Sequence, residues 1–381
     1  MELQQSEEQA MLVRTVRSFA ENEVNPVATE MDHAGQFPKA LVSKLGEMGL
    51  MGAFIPMQYG GSGMDLLSYV LAMEEISKAW ASLGVIMTVN NSLVCDPIFR
   101  FGTEAQKTRH LKPLAKGLQL GCYALTEPNA GSDAGAIATT AVQSGNDFLL
   151  NGAKRFITNG KHADIAIVYA KTVPSLGKKG ISAFIVEKTS PGYIVSKTEE
   201  KMGLHGSDTA ELIFQDCRVP KENLLGGKNN GFKIALSTLD GGRIGIAAQA
   251  TGIAQACLEA SIEYAKTREQ FGNPIADFQA IRHMIADMKT EIDAARILTH
   301  RAAWMRQQGD PVTLDASQAK LYASEMSNRV AYKAVQIFGG YGYMKEFPVE
   351  RFYRDARITT LYEGTSEIQR IVIARNLLQM K

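Results

Sequence analysis

A single carboxylate stands in an unusual place near the end of the chain, in the segment ITTLYEGTSEIQR at residues 358–370. Glu363 follows an apolar and threonine-rich run and lies between a tyrosine and a glycine. Ser366 and Gln369 have capping-box spacing, which predicts a helix that begins near Glu367. Glu367 would then interact favourably with the helix dipole, whereas Glu363 would lie before the cap and gain nothing. Two interpretations stay open from these residues alone: a solvated loop acid, or a base held in a dry site.

Three other segments could carry chemistry. YALTEPNAGSDAGA at 123–136 contains a small-residue loop whose backbone N–H groups could contact a ligand, although a tight turn is an equally ordinary interpretation. KRFITNG at 154–160 could pack an aromatic ring and a hydroxyl against a ligand, with plain strand core as the alternative. A glycine cluster at 339–342 follows a long helical pattern, and one C-cap does not explain all of its glycines.

Two segments carry an arginine that could bind an anion or pair with a neighbouring group. Asp240 and Arg243 in TLDGGRIG are three residues apart, so a helix would place them on one face, where a surface ion pair is the alternative to a binding role. Arg268 in TREQFGNPI stands near the end of an apparent helix, where it could cap carbonyls or bind a diphosphate.

The composition is that of an ordinary globular protein. The 381 residues include 45% hydrophobic and 21% charged residues, and the 41 basic residues nearly balance the 40 acidic ones. The length predicts two or three domains, and the balanced charge gives no field that would attract nucleic acid or an anionic membrane. No HExxH or similar spacing indicates a metal centre. The four cysteines form no CxxC pair and are expected to be buried thiols in a reducing compartment.

Targeting signals are also missing from the pattern. No apolar run reaches the length of about 18 residues expected of a membrane-spanning helix. The beginning, MELQQSEEQA, is acidic and polar and resembles neither a signal peptide nor a transit peptide. We therefore expect a cytoplasmic protein, or a mitochondrial matrix protein if the chain is a processed eukaryotic form.

The order of hydrophobic periods predicts three domains. Residues 1–121 have helical periods, and residues 122–226 contain short runs rich in valine, isoleucine and phenylalanine that predict strands. Residues 227–381 return to helical periods, with alternating steps of three and four that are typical of a bundle. Neither GxGxxG after a strand nor GxxxxGK[ST] is present, so a nucleotide would need another architecture.

Taken together, these segments resemble the acyl-coenzyme A dehydrogenase family over nearly the whole chain. ALTEPNAGSDAGA is similar to the first family signature, and QIFGGYGYMKEFPVERFYRDAR is similar to the second. DGGR, TREQFG and YEGTSEIQR follow in the family order, and the butyryl-type, short-chain branch is the nearest match. The resemblance implies an α+β multidomain fold with an N-terminal helical domain, a middle β-barrel-like domain and a C-terminal four-helix bundle, assembled as a homotetramer.

The resemblance also implies a non-covalent FAD and an acyl-CoA substrate. The cofactor-binding positions implied are Tyr123, Leu125, Thr126, Gly131, Ser132, Phe156, Ile157, Thr158, Arg268, Phe271, Gln336, Ile337, Gly339, Gly340, Thr365, Ser366 and Glu367. Those from Arg268 to Gly340 would bind the FAD of a neighbouring subunit, and Thr365 to Glu367 would complete that site. Phe156 stands where the family usually has tryptophan, so an indole N–H is lost. The substrate contacts implied are Ser132, Asp240, Arg243 and Gly364.

In this family the corresponding reaction removes an α-proton and a β-hydride to leave a trans-2-enoyl-CoA, as in fatty acid β-oxidation. Glu363 has the position of the base, and electrons would pass to an electron-transfer flavoprotein. Some relatives carry the base where this chain has Gly242, and glutaryl-type relatives have an arginine near Gly84, so neither variant is expected here. Thr359 matches one residue of the short-chain pocket floor, and we interpret Ser237 as replacing its glutamine. An acyl-CoA oxidase and a non-catalytic acyl-CoA-binding protein on the same scaffold are the alternatives.

Overall fold

The N-terminal part of the protein is helical, as the sequence pattern predicts. The computed structural model describes residues 4–379, so the first three and last two residues of the predicted outer domains lie outside the described residues. The predicted capping box of Ser6 and Gln9 begins the first helix. The helices of this part are α1 (Glu7–Phe19), α2 (Asn25–Ala34), α3 (Lys39–Glu47), α4 (Leu66–Ala79), α5 (Ala81–Thr88), α6 (Asp96–Phe101), α7 (Glu104–Gln106) and α8 (Lys112–Ala115).

One helical run in this part is long and apolar enough to cross a bilayer by length and composition. It covers Ala81–Phe101, and 94% of its most apolar window is buried inside the protein. The expectation that no run reaches such a length is therefore wrong. The burial identifies this run as a core helix of the fold, because its apolar side chains are covered by protein.

The middle part is one mixed sheet. Its strands are β1 (Gly121–Ala124), β2 (Thr140–Ser144), β3 (Asp147–Thr158), β4 (Ile165–Lys171), β5 (Ile181–Glu187), β6 (Tyr193–Thr198), β7 (Thr209–Pro220) and β8 (Leu224–Leu225). The order is β6-β7-β3-β2-β4-β5-β8, with β1 parallel to β4. The sheet stays open and does not close into the barrel-like shape expected. Among the residues that the structure describes, β6 pairs only with β7 and the two-residue β8 pairs only with β5.

The C-terminal part contains the longest helices. They are α9 (Gly231–Thr267), α10 (Gln279–Gln307), α11 (Thr313–Phe338), α12 (Pro348–Ile358) and α13 (Ser366–Leu377), and the short hairpin of β9 (Glu269–Gln270) and β10 (Asn273–Pro274) follows α9. Glycines let α9 approach the N-terminal helices: a Cβ at Gly245 would lie 2.1 Å from Thr88 Oγ1, and one at Gly252 would lie 2.5 Å from the Glu74 carbonyl oxygen. One apolar core therefore joins both helical parts and fixes α9 beside α5.

Candidate active site

Glu363 lies in the turn between α12 and α13, in a strained backbone conformation. Its φ is +52°, and the φ of Gly364 is +93°. A residue with a side chain seldom adopts this left-handed region, and it costs on the order of 1–3 kcal/mol when it does. A substituent on Gly364 would also meet the Gln369 amide nitrogen at 2.6 Å. The turn therefore exists only because its surroundings hold it.

Two buried side chains hold this turn by its carbonyl oxygens. Gln369 Nε2 donates to the Glu363 carbonyl at 3.1 Å and to the Gly364 carbonyl at 2.9 Å. Lys320 Nζ, from α11, donates to the Gly364 carbonyl at 2.7 Å. The predicted capping box of Ser366 and Gln369 is therefore wrong. The N-cap is Thr365, one residue before Ser366, and its hydroxyl accepts from the Ile368 N–H at 3.3 Å. The side-chain amide of Gln369 takes no part in the cap and binds the turn instead.

The Glu363 carboxylate is directed into the protein. Its Oε2 has no hydrogen-bond partner among residues 4–379. A Cβ on Gly242 of α9 would lie 1.8 Å from this oxygen, so the glycine provides the space that the carboxylate occupies. Burial raises the pKa of Glu363 to about 8, and the positive charges of Lys320 and Arg243 oppose the rise. A solvated loop acid has none of these features, so the structure favours the buried alternative.

Glu367 has a different environment four residues later. It is exposed in the first turn of α13. Hydrogen bonds from its own backbone N–H and from Thr365 lower its pKa, as expected for an acid at a helix N-terminus. Ser366 is buried beside it, and its Oγ has no partner in the described part of the chain.

Gln249 is a buried contact of the turn that the sequence interpretation missed. The Tyr362 hydroxyl donates to Gln249 Oε1, and Gln249 Nε2 donates to the Ala81 carbonyl at 2.8 Å.

Ser237, which we interpreted as replacing the glutamine of the acyl-pocket floor, lines an outer cavity. A buried glutamine, Gln249, lies twelve residues further along α9, next to the residue that precedes Glu363, and the interpretation of Ser237 stays a prediction.

The outer cavity of about 650 Å³ contains the predicted pair Asp240 and Arg243. Arg243 donates to Asp240 at 2.7 Å, but it is only 5% exposed, which excludes a simple surface ion pair. Burial lowers the pKa of Arg243, and its Nε has no partner in the described structure. The cavity is also lined by four further cations, Lys178, Lys179, Lys233 and Arg375. These cations favour an anionic ligand.

The small-residue loop between β1 and β2 is anchored by a buried ion pair. Lys154 Nζ lies 2.7 Å from Glu127 Oε1, and both side chains are buried. Glu127 and Ala130 form a tight bridged turn, so the tight-turn interpretation of this segment is correct for residues 127–130. Beyond it, Gly131 and Ser132 are exposed, and a Cβ on Gly131 would meet nothing within 4 Å.

The cofactor-binding residues predicted next to this loop include both buried and exposed side chains. Ile157 and Leu125 have buried side chains, so only their backbone could contact a ligand. Thr126 and Thr158 are partly exposed. Phe156 lies at a register shift between β3 and β7, has a φ of +59° and exposes 60% of its surface.

Tyr123 connects β1 to the Glu363 region. Its hydroxyl donates to the Ala235 carbonyl of α9 at 3.4 Å. Burial, neighbouring Tyr169 and the Glu363 carboxylate raise its pKa well above the usual value, which indicates that the carboxylate lies within electrostatic range of this strand.

A second cavity, of about 430 Å³, brings together Arg268, Ile337, Gly339 and Gly340. The Arg268 guanidinium lies 5.3 Å from the Tyr341 ring centre, and no carboxylate lies within salt-bridge distance of it among the described residues. Gly339 has φ +60° and ψ −136°, a conformation essentially restricted to glycine. Two other predicted residues point outward instead: Gln336 is exposed, and Phe271 is 93% exposed at the tip of the β9–β10 hairpin.

Family models cover most of the chain in the same order as the three structural parts. Those described as acyl-CoA dehydrogenase N-terminal, middle and C-terminal domain match residues 6–118, 122–217 and 229–378. The chain belongs to the acyl-CoA dehydrogenase family. The predicted family membership and three-part fold are thus confirmed.

Individual acyl-CoA dehydrogenases are similar along their full length. The chain is 51% identical over 369 residues to the mitochondrial short-chain specific acyl-CoA dehydrogenase of Mus musculus, which covers 97% of this chain and 90% of that one. Butyryl-CoA dehydrogenase from Megasphaera elsdenii matches with a TM-score of 0.98 and 49% identity, covering 99% of this chain and 100% of that one. A chain of a structure described as the electron transferring flavoprotein of Acidaminococcus fermentans matches with a TM-score of 0.98 and 51% identity, covering 100% of both chains.

Within this acyl-CoA dehydrogenase, the predicted residues outside the sheet and its β1–β2 loop form three groups around α9. Glu363 and Gly364 lie at its inner side, Asp240 and Arg243 line the outer cavity, and the residues near Arg268 line the second cavity. The sequence interpretation missed Lys320 and Gln249 and gave Gln369 a capping role, whereas all three residues hold the Glu363 turn in place.

Proposed function

We propose that this protein is an FAD-dependent short-chain acyl-CoA dehydrogenase. It converts butyryl- to hexanoyl-CoA thioesters to trans-2-enoyl-CoA, and Glu363 takes the α-proton. The observation that carries this proposal is the Glu363 carboxylate, which is directed into the protein, has one buried oxygen without a hydrogen-bond partner in the described part of the chain, and is held in a strained turn. Strongly perturbed acids in such positions are typical of catalytic sites.

The position of Glu363 suits the proton transfer. Its pKa of about 8 makes it a stronger base than a carboxylate in water, so the energetic gap to a weakly acidic α-proton is smaller. Gly242 leaves no side chain that could compete for the same space. The α-proton therefore passes to a Glu363 oxygen, and the electron pair of the broken C–H bond moves towards the thioester.

The same turn supplies a donor for the charge that develops on the thioester oxygen. The Glu363 backbone N–H makes no hydrogen bond within the described residues. A preorganised donor of this kind stabilises a developing oxyanion by roughly 3–4 kcal/mol. Gly364, without a side chain, leaves the approach to this N–H open.

The outer cavity supports binding of the CoA part of the substrate. Arg243 and the four other cations that line this cavity complement the phosphates of CoA, while Asp240 fixes Arg243. Ser132 belongs to the same side, because a Cβ on nearby Gly135 would lie 3.3 Å from Lys178. These contacts orient the thioester towards Glu363.

The chain also fits FAD. An isoalloxazine ring would fit against the open loop at Gly131, the exposed ring of Phe156 and the hydroxyls of Thr126 and Thr158. Tyr123, Leu125, Ser132 and Ile157 lie beside them. Arg268, which pairs with no carboxylate among residues 4–379, and the cavity with Gly339 and Gly340 suit a diphosphate and adenosine. When bound, FAD supplies the acceptor for the β-hydride.

Assembly and electron transfer complete the proposal. The exposed Phe271 and Gln336 point away from their own chain, which supports a cofactor site shared with a neighbouring subunit in a homotetramer. Thr365, Ser366 and Glu367 would complete this shared site. We further propose an electron-transfer flavoprotein as the electron acceptor and the cytoplasm as the compartment, or the mitochondrial matrix for a eukaryotic host. The domain limits 1–121, 122–226 and 227–381 stay a prediction.

Anaerobic mixing with acyl-CoA tests the function. The purified protein should be yellow, carry one FAD per chain and lose its visible flavin absorbance when butyryl-CoA is added. Reoxidation should be fast with electron-transfer flavoprotein and slow with oxygen. A colourless protein that takes up no FAD, or a flavoprotein that no acyl-CoA bleaches, would overturn the proposal, and fast reoxidation by oxygen would favour the oxidase alternative.

A further inference from the structure

Lys320 is a buried cation for which the proposed reaction has no role. It lies on α11 and is fully buried. A buried ammonium group is costly unless it is paired, so its position requires an explanation. Its Nζ makes one hydrogen bond among the described residues, to the carbonyl oxygen of Gly364 at 2.7 Å.

That carbonyl does not depend on Lys320 for satisfaction. The Gly364 oxygen also accepts from Gln369 Nε2 at 2.9 Å, and the same amide bonds the Glu363 carbonyl at 3.1 Å. A neutral side chain at 320 would therefore leave the oxygen with a partner. What only the lysine adds is a second restraint on the left-handed turn and a positive charge.

We propose that Lys320 is a positioning residue for the Glu363 base: it fixes the Glu363–Gly364 turn and places a positive charge within range of the Glu363 carboxylate. This inference rests on the proposed function of Glu363. The charge favours the ionised, proton-accepting form of the carboxylate and offsets part of the cost of burying it.

The charged groups around Lys320 come from several elements. They are Glu363 in the turn, Arg243 on α9, Glu367 on α13 and Glu325 on α11. Burial lowers the pKa of Lys320 from its ordinary value, and the three carboxylates oppose this while Arg243 reinforces it. Among the charges that oppose the raised pKa of Glu363, Lys320 is the strongest and Arg243 the next. Removing the Lys320 charge should thus raise the pKa of Glu363 further and reduce its ionised fraction at neutral pH.

A purely structural role predicts a different result. If Lys320 only braces the turn, its replacement would loosen Glu363 without a consistent change in the pH at which the carboxylate ionises. Lys320→Met has similar length and no charge. Lys333→Met is the matched control, because Lys333 lies on the same helix and pairs with Asp287 and Glu291 of α10.

The test titrates Glu363 directly in the FAD-loaded protein. Infrared difference spectra recorded against pH report the carboxyl band that Glu363→Gln removes. We expect its apparent pKa to rise by about one unit in Lys320→Met, the lower end of the effect of a nearby opposite charge. Lys333→Met should leave it unchanged, and Lys320→Arg should keep the pKa near that of the wild type. The pH profile of anaerobic bleaching by butyryl-CoA should shift to alkaline pH by the same amount.

An unchanged Glu363 titration in Lys320→Met would overturn the proposal, as would a pH profile that falls in height without shifting. If Lys320→Met does not fold, Lys320→Gln keeps a donor without the charge and should give the same alkaline shift. If the wild type is not bleached by any acyl-CoA, the proposed function fails, but the infrared titration still decides the role of Lys320.

Discussion

Replacing Glu363 with glutamine should stabilise the folded protein at alkaline pH while it removes the base. The ordinary pKa of the side chain is 4.5, and burial raises it to about 8 in the folded protein. Below pH 4.5 both the folded and the unfolded chain hold the proton, so ionisation contributes no difference. Between pH 4.5 and 8 only the unfolded chain is ionised, and the free energy of unfolding therefore falls as pH rises.

The size of the effect follows from this interval. Each unit of pKa difference corresponds to about 1.4 kcal/mol, so the cost of an ionisable group at 363 reaches an upper limit on the order of 5 kcal/mol above pH 8. Glutamine has nearly the same volume and no charge, so Glu363→Gln removes this cost. The gain should be near zero at acidic pH and should level off above pH 8.

Thermal unfolding of the FAD-loaded proteins between pH 5 and 9 measures the gain. The melting temperature of Glu363→Gln should rise relative to the wild type as pH increases. Glu367→Gln is the matched control, because the pKa of Glu367 is lowered and its replacement should bring no alkaline gain. A difference between Glu363→Gln and the wild type that does not change with pH would refute the reasoning.

Three further predictions concern the cofactor, the carboxylate pocket and the acyl chain. Arg268→Ala should weaken FAD retention and the oligomer together, by absorbance and light scattering, since its guanidinium has no other charged partner among the described residues; full retention of both would contradict the shared site. Gly242→Ala should slow anaerobic bleaching, because the added carbon would lie 1.8 Å from Glu363 Oε2; a wild-type rate would count against this placement. A substrate series should show a broad preference for butyryl- to hexanoyl-CoA, since each buried methylene contributes only about 0.8 kcal/mol; a clear optimum at lauroyl-CoA or longer would exclude the short-chain assignment.

The sequence predicted the order of elements because that order depends on local patterns, whereas for Glu363 the local residues left a solvated loop acid and a buried base open, and only the family resemblance implied the base. Helical and strand periods are visible within short windows, and a carboxylate between tyrosine and glycine stands out by itself. The capping box failed because Thr365 and Ser366 are adjacent and either hydroxyl could begin α13. Local spacing alone does not decide between them.

The residues that hold the base could not be predicted in this way. Lys320 contacts Gly364 across 44 residues of sequence, and Gln249 contacts Tyr362 across 113. Each stands in an ordinary helical pattern, and only the packing of α9, α11 and the turn brings them to the site. The open sheet escaped prediction for the same reason, because strand order depends on pairings between distant segments.

The most direct test of the central claim compares Glu363→Gln with the wild type in anaerobic bleaching by butyryl-CoA. The variant keeps the backbone N–H and the size of the side chain, so FAD should be retained and butyryl-CoA should still perturb the flavin spectrum. Loss of a general base typically lowers a rate by roughly 10²–10⁴-fold, and the bleaching rate should fall by at least this much. Glu367 is exposed and is not placed to replace Glu363. If the bleaching rate of the variant falls by less than about tenfold, the loss is smaller than a general base explains, and the assignment of Glu363 as the base is contradicted.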